Sequence, residues 1–255
     1  MKVGVCENRS GLDSDAAEWR ALCEGVAAGK PDLFVLNEMP FGNWIAAGER
    51  FDAAVWRDAC DVHERGLARL GELGAATVAG SRPRELDGVR VNEAFLRDAA
   101  GVRGVHNKQY FPDEPGYYEA RWFAGGERHF RIADVSGLRV GFLLCTEVMF
   151  NEHARHYGRG GAHAILAPRA VGEASLPRWL VAMRMAAVVS GCYVLTSNRS
   201  SVDDAGQRFG GRGWIIDPEG ECVAETSESS PVAFHELDLD LVARAQNDYP
   251  CYVRE

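Results

Sequence analysis

Short apolar runs rich in branched residues alternate along the chain with longer segments whose apolar positions recur at helical spacing. Lys2–Cys6 reads as a strand. Asp15–Ala28 reads as a helix with Ala16, Trp19, Leu22, Cys23 and Val26 on one face. Leu33–Leu36 is the next strand, and Glu38 stands just past its end. Helical spacing returns over Ala53–Leu70, with Val55, Ala59, Val62 and Leu67 inward, before strands near Ala76–Gly80 and Asn92–Arg97. The turn Asp98–Gly101 then predicts a hairpin to Val102–Asn107.

Periodicity lapses over Lys108–Gly126, a stretch with two prolines, several glycines and six aromatics that reads as a long functional loop. Phe130–Val135 and Leu138–Leu144 flank the Ser136-Gly137 turn, and Cys145 follows the second, strongly apolar run. A helix near Glu152–Tyr157, a strand at Ala164–Ala167, a helix at Leu176–Ser190 and a strand at Tyr193–Thr196 come next. Gly213–Asp217 and Cys222–Ala224, joined by Pro218-Glu219-Gly220, return to hairpin character. The alternation predicts a layered α/β protein, and its direct β–β connections argue against a purely parallel doubly wound sheet.

No linker or repeat divides the 255 residues, so 1–255 is expected to be one domain. Twenty-eight basic residues against 37 acidic ones give a net charge of −9 with no basic run, which disfavours nucleic acid as a partner. No apolar stretch approaches the roughly 20 residues needed to cross a bilayer. The first residues, MKVGVCENRS, lack a secretory pattern. A cytoplasmic location is therefore expected, with no membrane partner. Seven cysteines without a CxxC pair argue against a disulfide framework or zinc knuckle, so one of them has to be distinguished by context.

Glu38, Lys108 and Cys145 each follow an apolar strand, and strand ends are where side chains of α/β sheets converge on a crevice. Taken singly, they are a turn carboxylate before Pro40, a solvated loop lysine and a packing thiol. Taken together, they supply a thiol nucleophile, a cation beside the developing oxyanion and a carboxylate that carries protons. That set cleaves an amide without histidine, metal or cofactor.

Three ordered segments, LFVLNEMPFG, HNKQYFPDEPGYYE and VGFLLCTEVMFNE, resemble the carbon–nitrogen hydrolase (nitrilase-like) superfamily. Their reactive residues are spaced by roughly 70 and 37 positions. The resemblance continues through RMAAVVSGCYVLTSNRS and FGGRGWIIDPEGECVAET. It implies a four-layer αββα sandwich with mixed sheets, commonly assembled as a homodimer with the helix after Cys145 and the helix holding Arg184 near the interface. It also implies Cys145 as nucleophile, Lys108 at the oxyanion, Glu38 as general base and Glu119 as a second glutamate that orients the lysine or substrate. The Thr146 N–H would complete the oxyanion hole. Three positions depart from the common pattern: Thr146 where an aromatic is frequent, Glu147 where many amidases and carbamoylases carry Asp, and Asn151 in place of proline.

Other residues carry weaker signals. Arg169, past a strand, either holds a substrate carboxylate or forms a structural ion pair. Tyr110, Phe111, Tyr117, Tyr118, Trp122 and Phe123 either wall the substrate site or close the loop onto the core. Glu152, His153 and His156 share a helix but form no HExxH motif, and they read as solvated or interfacial rather than as metal ligands. The glycines at 210, 211 and 213 form no phosphate-loop motif and suit close backbone approach at a pocket rim.

The expected activity is hydrolysis of a linear amide to a carboxylic acid and ammonia or an amine through a cysteine thioester. N-carbamoyl amines or amino acids are the leading alternative substrates, because PDEPGYYE is similar to the corresponding loop of carbamoyl-amine hydrolases. Nitrile hydrolysis, acyl transfer to an amine and a catalytically silent binding protein are further alternatives.

Overall fold

The computed structural model describes residues 1–14, 16–126, 129–203 and 206–253. The first half of the chain forms β1 (Lys2–Arg9), α1 (Ala17–Gly29), β2 (Leu33–Val35), α2 (Ala53–Arg69), β3 (Thr77–Leu86), β4 (Val89–Asp98) and β5 (Gly101–Asn107). After a short α3 (Glu119–Trp122) come β6 (Ala133–Val135), β7 (Leu138–Phe142), α4 (Asn151–Arg159), β8 (Ala164–Leu166), α5 (Leu176–Ser190) and β9 (Tyr193–Thr196). The chain continues through β10 (Asn198–Val202), β11 (Arg208–Gly210), β12 (Trp214–Ile216), β13 (Cys222–Glu225), β14 (Val232–Glu236) and α6 (Leu239–Asn247). Asp15, the predicted first residue of the helix that is α1, lies outside the described residues.

Two mixed sheets result. One runs β11-β10-β1-β2-β3-β4-β5 with β14 also paired to β1, and the other runs β13-β12-β9-β8-β7-β6. Strands β1, β2 and β3 are parallel, whereas β3, β4 and β5 form an antiparallel meander.

Side-chain alternation explains the layering. Leu33 and Val35 of β2 point with Val3 and Val5 into an apolar layer shared with Val140, Phe142, Leu166 and Leu195 of the second sheet. Phe34 and Leu36 point the other way, onto Trp19, Leu22 and Val26 of α1 and Leu67 of α2. In β8 the same period sends Ala164 and Leu166 inward and Ile165 toward Tyr157, Met183 and Ala187 of α4 and α5. Each such buried branched side chain contributes roughly 1.5–3 kcal/mol, so register is strongly specified. The architecture is the expected αββα sandwich.

Local chemistry sets the element ends. Asp52 caps α2 by accepting from the N–H groups of Ala54 (2.7 Å) and Val55 (3.2 Å). α4 and α5 approach so closely at Gly158 that a Cβ there would stand 2.2 Å from the carbonyl oxygen of Ser190. The apolar spacing predicts strands near Ala76–Gly80 and Asn92–Arg97, but β3 and β4 run on to a tight turn at Asp87-Gly88, both left-handed. β10, β11, β14 and α6 are not predicted by that spacing. β10 (NRSSV) is too polar to announce a strand, and it is held by pairing with β1.

Candidate active site

Glu38 leaves the first sheet three residues after β2 and is fully buried. Its N–H donates to the Arg169 carbonyl at 3.3 Å, and the N–H of Met39, left-handed at φ 44°, donates to Ser81 Oγ at 3.1 Å. Arg199 of β10 fastens the same turn: its guanidinium donates to the carbonyls of Glu38 (3.3 Å), Met39 and Gly42 (3.0 Å) and to Ser10 Oγ (2.9 Å). Burial lowers the proton affinity of Arg199, to about 10.

Lys108 follows β5, and its N–H donates to the Asn92 carbonyl of β4 at 2.9 Å. Its ammonium donates to Glu38 Oε1 at 2.7 Å and to Glu119 Oε2 at 2.6 Å, with all three side chains withdrawn from solvent. The ammonium's third N–H has no acceptor among the described residues. Burial opposes the lysine's charge, but the two carboxylates outweigh it and hold the ammonium firmly protonated. Burial likewise pushes the Glu119 carboxyl up, while Lys108 pulls it back. Asn92 Nδ2 donates to the same Glu38 Oε1 at 2.8 Å, whereas Glu38 Oε2 is buried without a partner among the described residues.

Cys145 stands where β7 runs out into a 3-10 turn, left-handed at φ 48°, with its N–H on the Pro168 carbonyl at 3.0 Å. A non-glycine residue in that conformation is a strained elbow held by its surroundings. Glu147 supplies the hold. It accepts from the N–H of Leu144 (2.7 Å), the N–H of Gln109 (2.7 Å) and His106 Nε2 (2.8 Å). One buried carboxylate thus ties the residue before the cysteine to the residue after the lysine. Burial drives the Cys145 thiol well above its ordinary value; Glu38 and Glu119 add to this and Lys108 opposes it. These surroundings favour the protonated form of the Cys145 sulfur.

The sulfur opens into a cavity of about 630 Å³ whose lining includes Glu119, Tyr117, Thr146, Val171, Trp179, Arg178 and Arg208. Burial pushes the Tyr117 hydroxyl up to about 12, and that hydroxyl accepts from Gln207 Nε2 at 3.0 Å. The fold thus gathers Glu38, Lys108, Glu119 and Cys145, with Thr146 beside the thiol. Arg169 and Tyr110 stand elsewhere. The Arg169 guanidinium is buried 4.0 Å over the Trp214 ring and donates to Thr196 Oγ1 (2.9 Å) and the Arg212 carbonyl, outside the cavity lining. Tyr110 stacks on Phe150 and pairs with His153 Nε2 at 2.7 Å. Of the loop aromatics, Tyr117 lines the cavity, while Trp122 and Phe123 pack with Trp44 and Trp56.

His153 is thus engaged with Tyr110, and His156 Nε2 lies 3.2 Å from the Phe130 carbonyl. Asn92, His106 and Arg199 are not singled out by the sequence, and Glu147 is noted there only as a departure from the family pattern. Asn92 and Glu147 are polar residues in or next to apolar runs, and that placement was the available signal.

Comparison with known proteins bears on this arrangement. The carbon-nitrogen hydrolase family model matches residues 7–247. The chain is 28% identical to N-carbamoylputrescine amidase of Arabidopsis thaliana, over 93% of this chain and 85% of that protein. It is 33% identical to citrullinase of Francisella tularensis over 54% of this chain, a match spanning about half (52%) of that protein's length. Among solved structures it superposes with TM-score 0.75 and 20% identity, over 95% of each chain, on the amidase from Nesterenkonia sp. AN1. That structure is of a Glu-to-Gln variant carrying an acrylamide adduct at its active-site cysteine.

Proposed function

Because the chain belongs to the carbon-nitrogen hydrolase family, we propose that it hydrolyses a linear, non-peptide amide bond of a small molecule through a thioester on Cys145. The observation that carries this reading is the buried ammonium of Lys108 held between Glu38 and Glu119, all three acting on the charge of the Cys145 thiol.

A neutral thiol has to lose its proton as it attacks. The Cys145 proton passes to Glu38 while sulfur bonds to the carbonyl carbon, and the oxyanion that forms is stabilised by the free N–H of Lys108 and by the Thr146 N–H. Collapse breaks the C–N bond, and Glu38 returns the proton to the departing nitrogen. Water then attacks the thioester, giving its proton to Glu38. The C–S bond breaks, the acid is released and the proton returns to sulfur. Glu119 holds Lys108 in place. No metal or cofactor enters the sequence of steps.

N-carbamoyl compounds are the second reading, favoured by the matches to citrullinase and N-carbamoylputrescine amidase. There the leaving amine carries the rest of the substrate, and the carbamoyl group ends as carbon dioxide and ammonia. A homodimer is the proposed assembly, supported by exposed Val181 and Met185 on the outer face of α5.

Ammonia release from butyramide, N-carbamoylputrescine, citrulline and butyronitrile, with and without added amine, tests the reading. An amide or N-carbamoyl substrate is turned over and Cys145→Ala, folded, is inert. Turnover by Cys145→Ala sinks the nucleophile assignment. Release from the nitrile alone makes the chain a nitrilase, a new amide product makes it an acyltransferase, and no reaction at all favours a silent binding protein.

A further inference from the structure

Asn92 is fully buried in β4, and two of its groups reach the catalytic cluster by different routes. The side-chain Nδ2 donates to Glu38 Oε1 at 2.8 Å, and the main-chain carbonyl accepts from the Lys108 N–H at 2.9 Å. Among the described residues Glu38 Oε1 therefore receives two donors, the amide of Asn92 and the ammonium of Lys108, whereas Glu38 Oε2 receives none.

We infer that Asn92 is a positioning residue of the reaction: it fixes the plane of the Glu38 carboxylate so that Oε1 is occupied and Oε2 is the oxygen that exchanges protons with sulfur and water. The inference rests on the proposed role of Glu38 as proton carrier. Lys108 alone cannot impose this asymmetry, since a carboxylate held by one ammonium turns about its terminal bond or shares both oxygens with that donor. A planar amide at a second angle removes the freedom. An oxygen that already accepts two hydrogen bonds, one of them charged, is the poorer base, so the proton goes to the other. The Lys108 contact comes from main chain and survives any side-chain change at 92, which isolates the effect on Glu38.

The two informative changes are Asn92→Ala, which deletes the donor, and Asn92→Asp, which keeps the size but donates only when protonated. Groups within electrostatic reach of Glu38 are Lys108, Glu119, Tyr117, Cys145 and Arg199, and all are common to both variants. Their titration therefore cancels in the ratio of the two rates. A buried Asp beside Glu38 shares one proton with it at low pH, restoring a donor to Oε1, and becomes a repelling carboxylate as pH rises.

p-Nitrophenyl acetate, an activated ester of generic acyl chemistry, reads acylation as a burst of p-nitrophenolate and deacylation as the steady rate. Wild type, Cys145→Ala, Glu38→Gln, Asn92→Ala and Asn92→Asp are compared together with their thermal midpoints. At about pH 8, both Asn92 variants are expected to lose roughly 10- to 100-fold in both phases, as for a lost hydrogen bond to a charged group. The ester concentration at half-saturation stays close to wild type, and the Asn92→Asp to Asn92→Ala rate ratio climbs about fivefold or more as pH falls to about 5.5. Wild-type rates in both Asn92 variants, a ratio that does not change with pH, or loss of the folded midpoint in both would overturn the inference. Wild-type acylation by Cys145→Ala or Glu38→Gln would instead overturn the proposed function.

Discussion

Replacing Lys108 by methionine separates what the buried cation does for folding from what it does for the reaction. The ammonium lies 2.7 Å from Glu38 and 2.6 Å from Glu119 with no solvent to take its place. Methionine keeps the apolar stem and leaves two carboxylates facing each other. Removing one partner from a buried ion pair costs about 3–5 kcal/mol. At roughly 2–4 °C per kcal/mol for a domain of this size, the thermal midpoint should fall by roughly 6–20 °C near neutral pH. Proton uptake relieves the clash. The Glu119 carboxyl is already pushed up by burial, and it rises further once Lys108 no longer pulls it back. A carboxyl raised in the folded state contributes stability below its unfolded value and loses it as pH climbs through its folded value. The deficit relative to wild type should therefore shrink toward about pH 5 and grow toward about pH 9. The double change Lys108→Met with Glu119→Gln removes one of the opposed charges and should recover most of the midpoint. Its kcat/KM stays about 10²-fold or more below wild type, because no cation meets the oxyanion. Calorimetry across that pH range and ammonia release are the assays. A deficit independent of pH, or wild-type turnover by either variant, refutes the reasoning.

Gly158→Ala is expected to lower stability by roughly 1–3 kcal/mol, since its Cβ would stand 2.2 Å from the Ser190 carbonyl oxygen. Helix propensity alone favours alanine by about 1 kcal/mol. A raised midpoint in thermal melts would thus show that α4 and α5 separate easily. EDTA should leave turnover unchanged, Lys108 standing where a metal hydrolase has its ion. Activity lost to EDTA and restored by Zn²⁺ would refute that and redirect attention to Glu152, His153 and His156.

The layered α/β class was legible in the alternation of apolar runs with helical spacing, whereas the αββα sandwich followed only from the resemblance of the three motifs: an unbroken apolar run such as Leu33–Leu36 suits any strand covered on both faces. Glu38 and Cys145 were legible because each follows an apolar run, and Lys108 because it completes the ordered set of three motifs. Asn92 and His106 were not, since their partners lie 54 and 41 residues away and a polar side chain in a strand looks the same whether it meets water or a buried carboxylate. Arg169 shows the opposite limit. Its position past a strand left a substrate carboxylate and a structural role both open, and the structure sets its guanidinium over the Trp214 indole and against the Arg212 carbonyl.

The Glu147 clamp has a consequence for how the loop after Lys108 is built. Because one side chain joins the residues flanking both Lys108 and Cys145, the backbone at the two positions is tied together ahead of the loop that follows, while the ammonium itself is also held by Glu119 of that loop. Pro112, Glu114 and Tyr117, farther along that loop, face the substrate cavity and lie outside the clamp. Substitution at those three positions changes the cavity wall and leaves the Glu147 hydrogen bonds in place. The loop is thus anchored at its first residue, and the stretch that shapes the cavity begins only beyond that anchor.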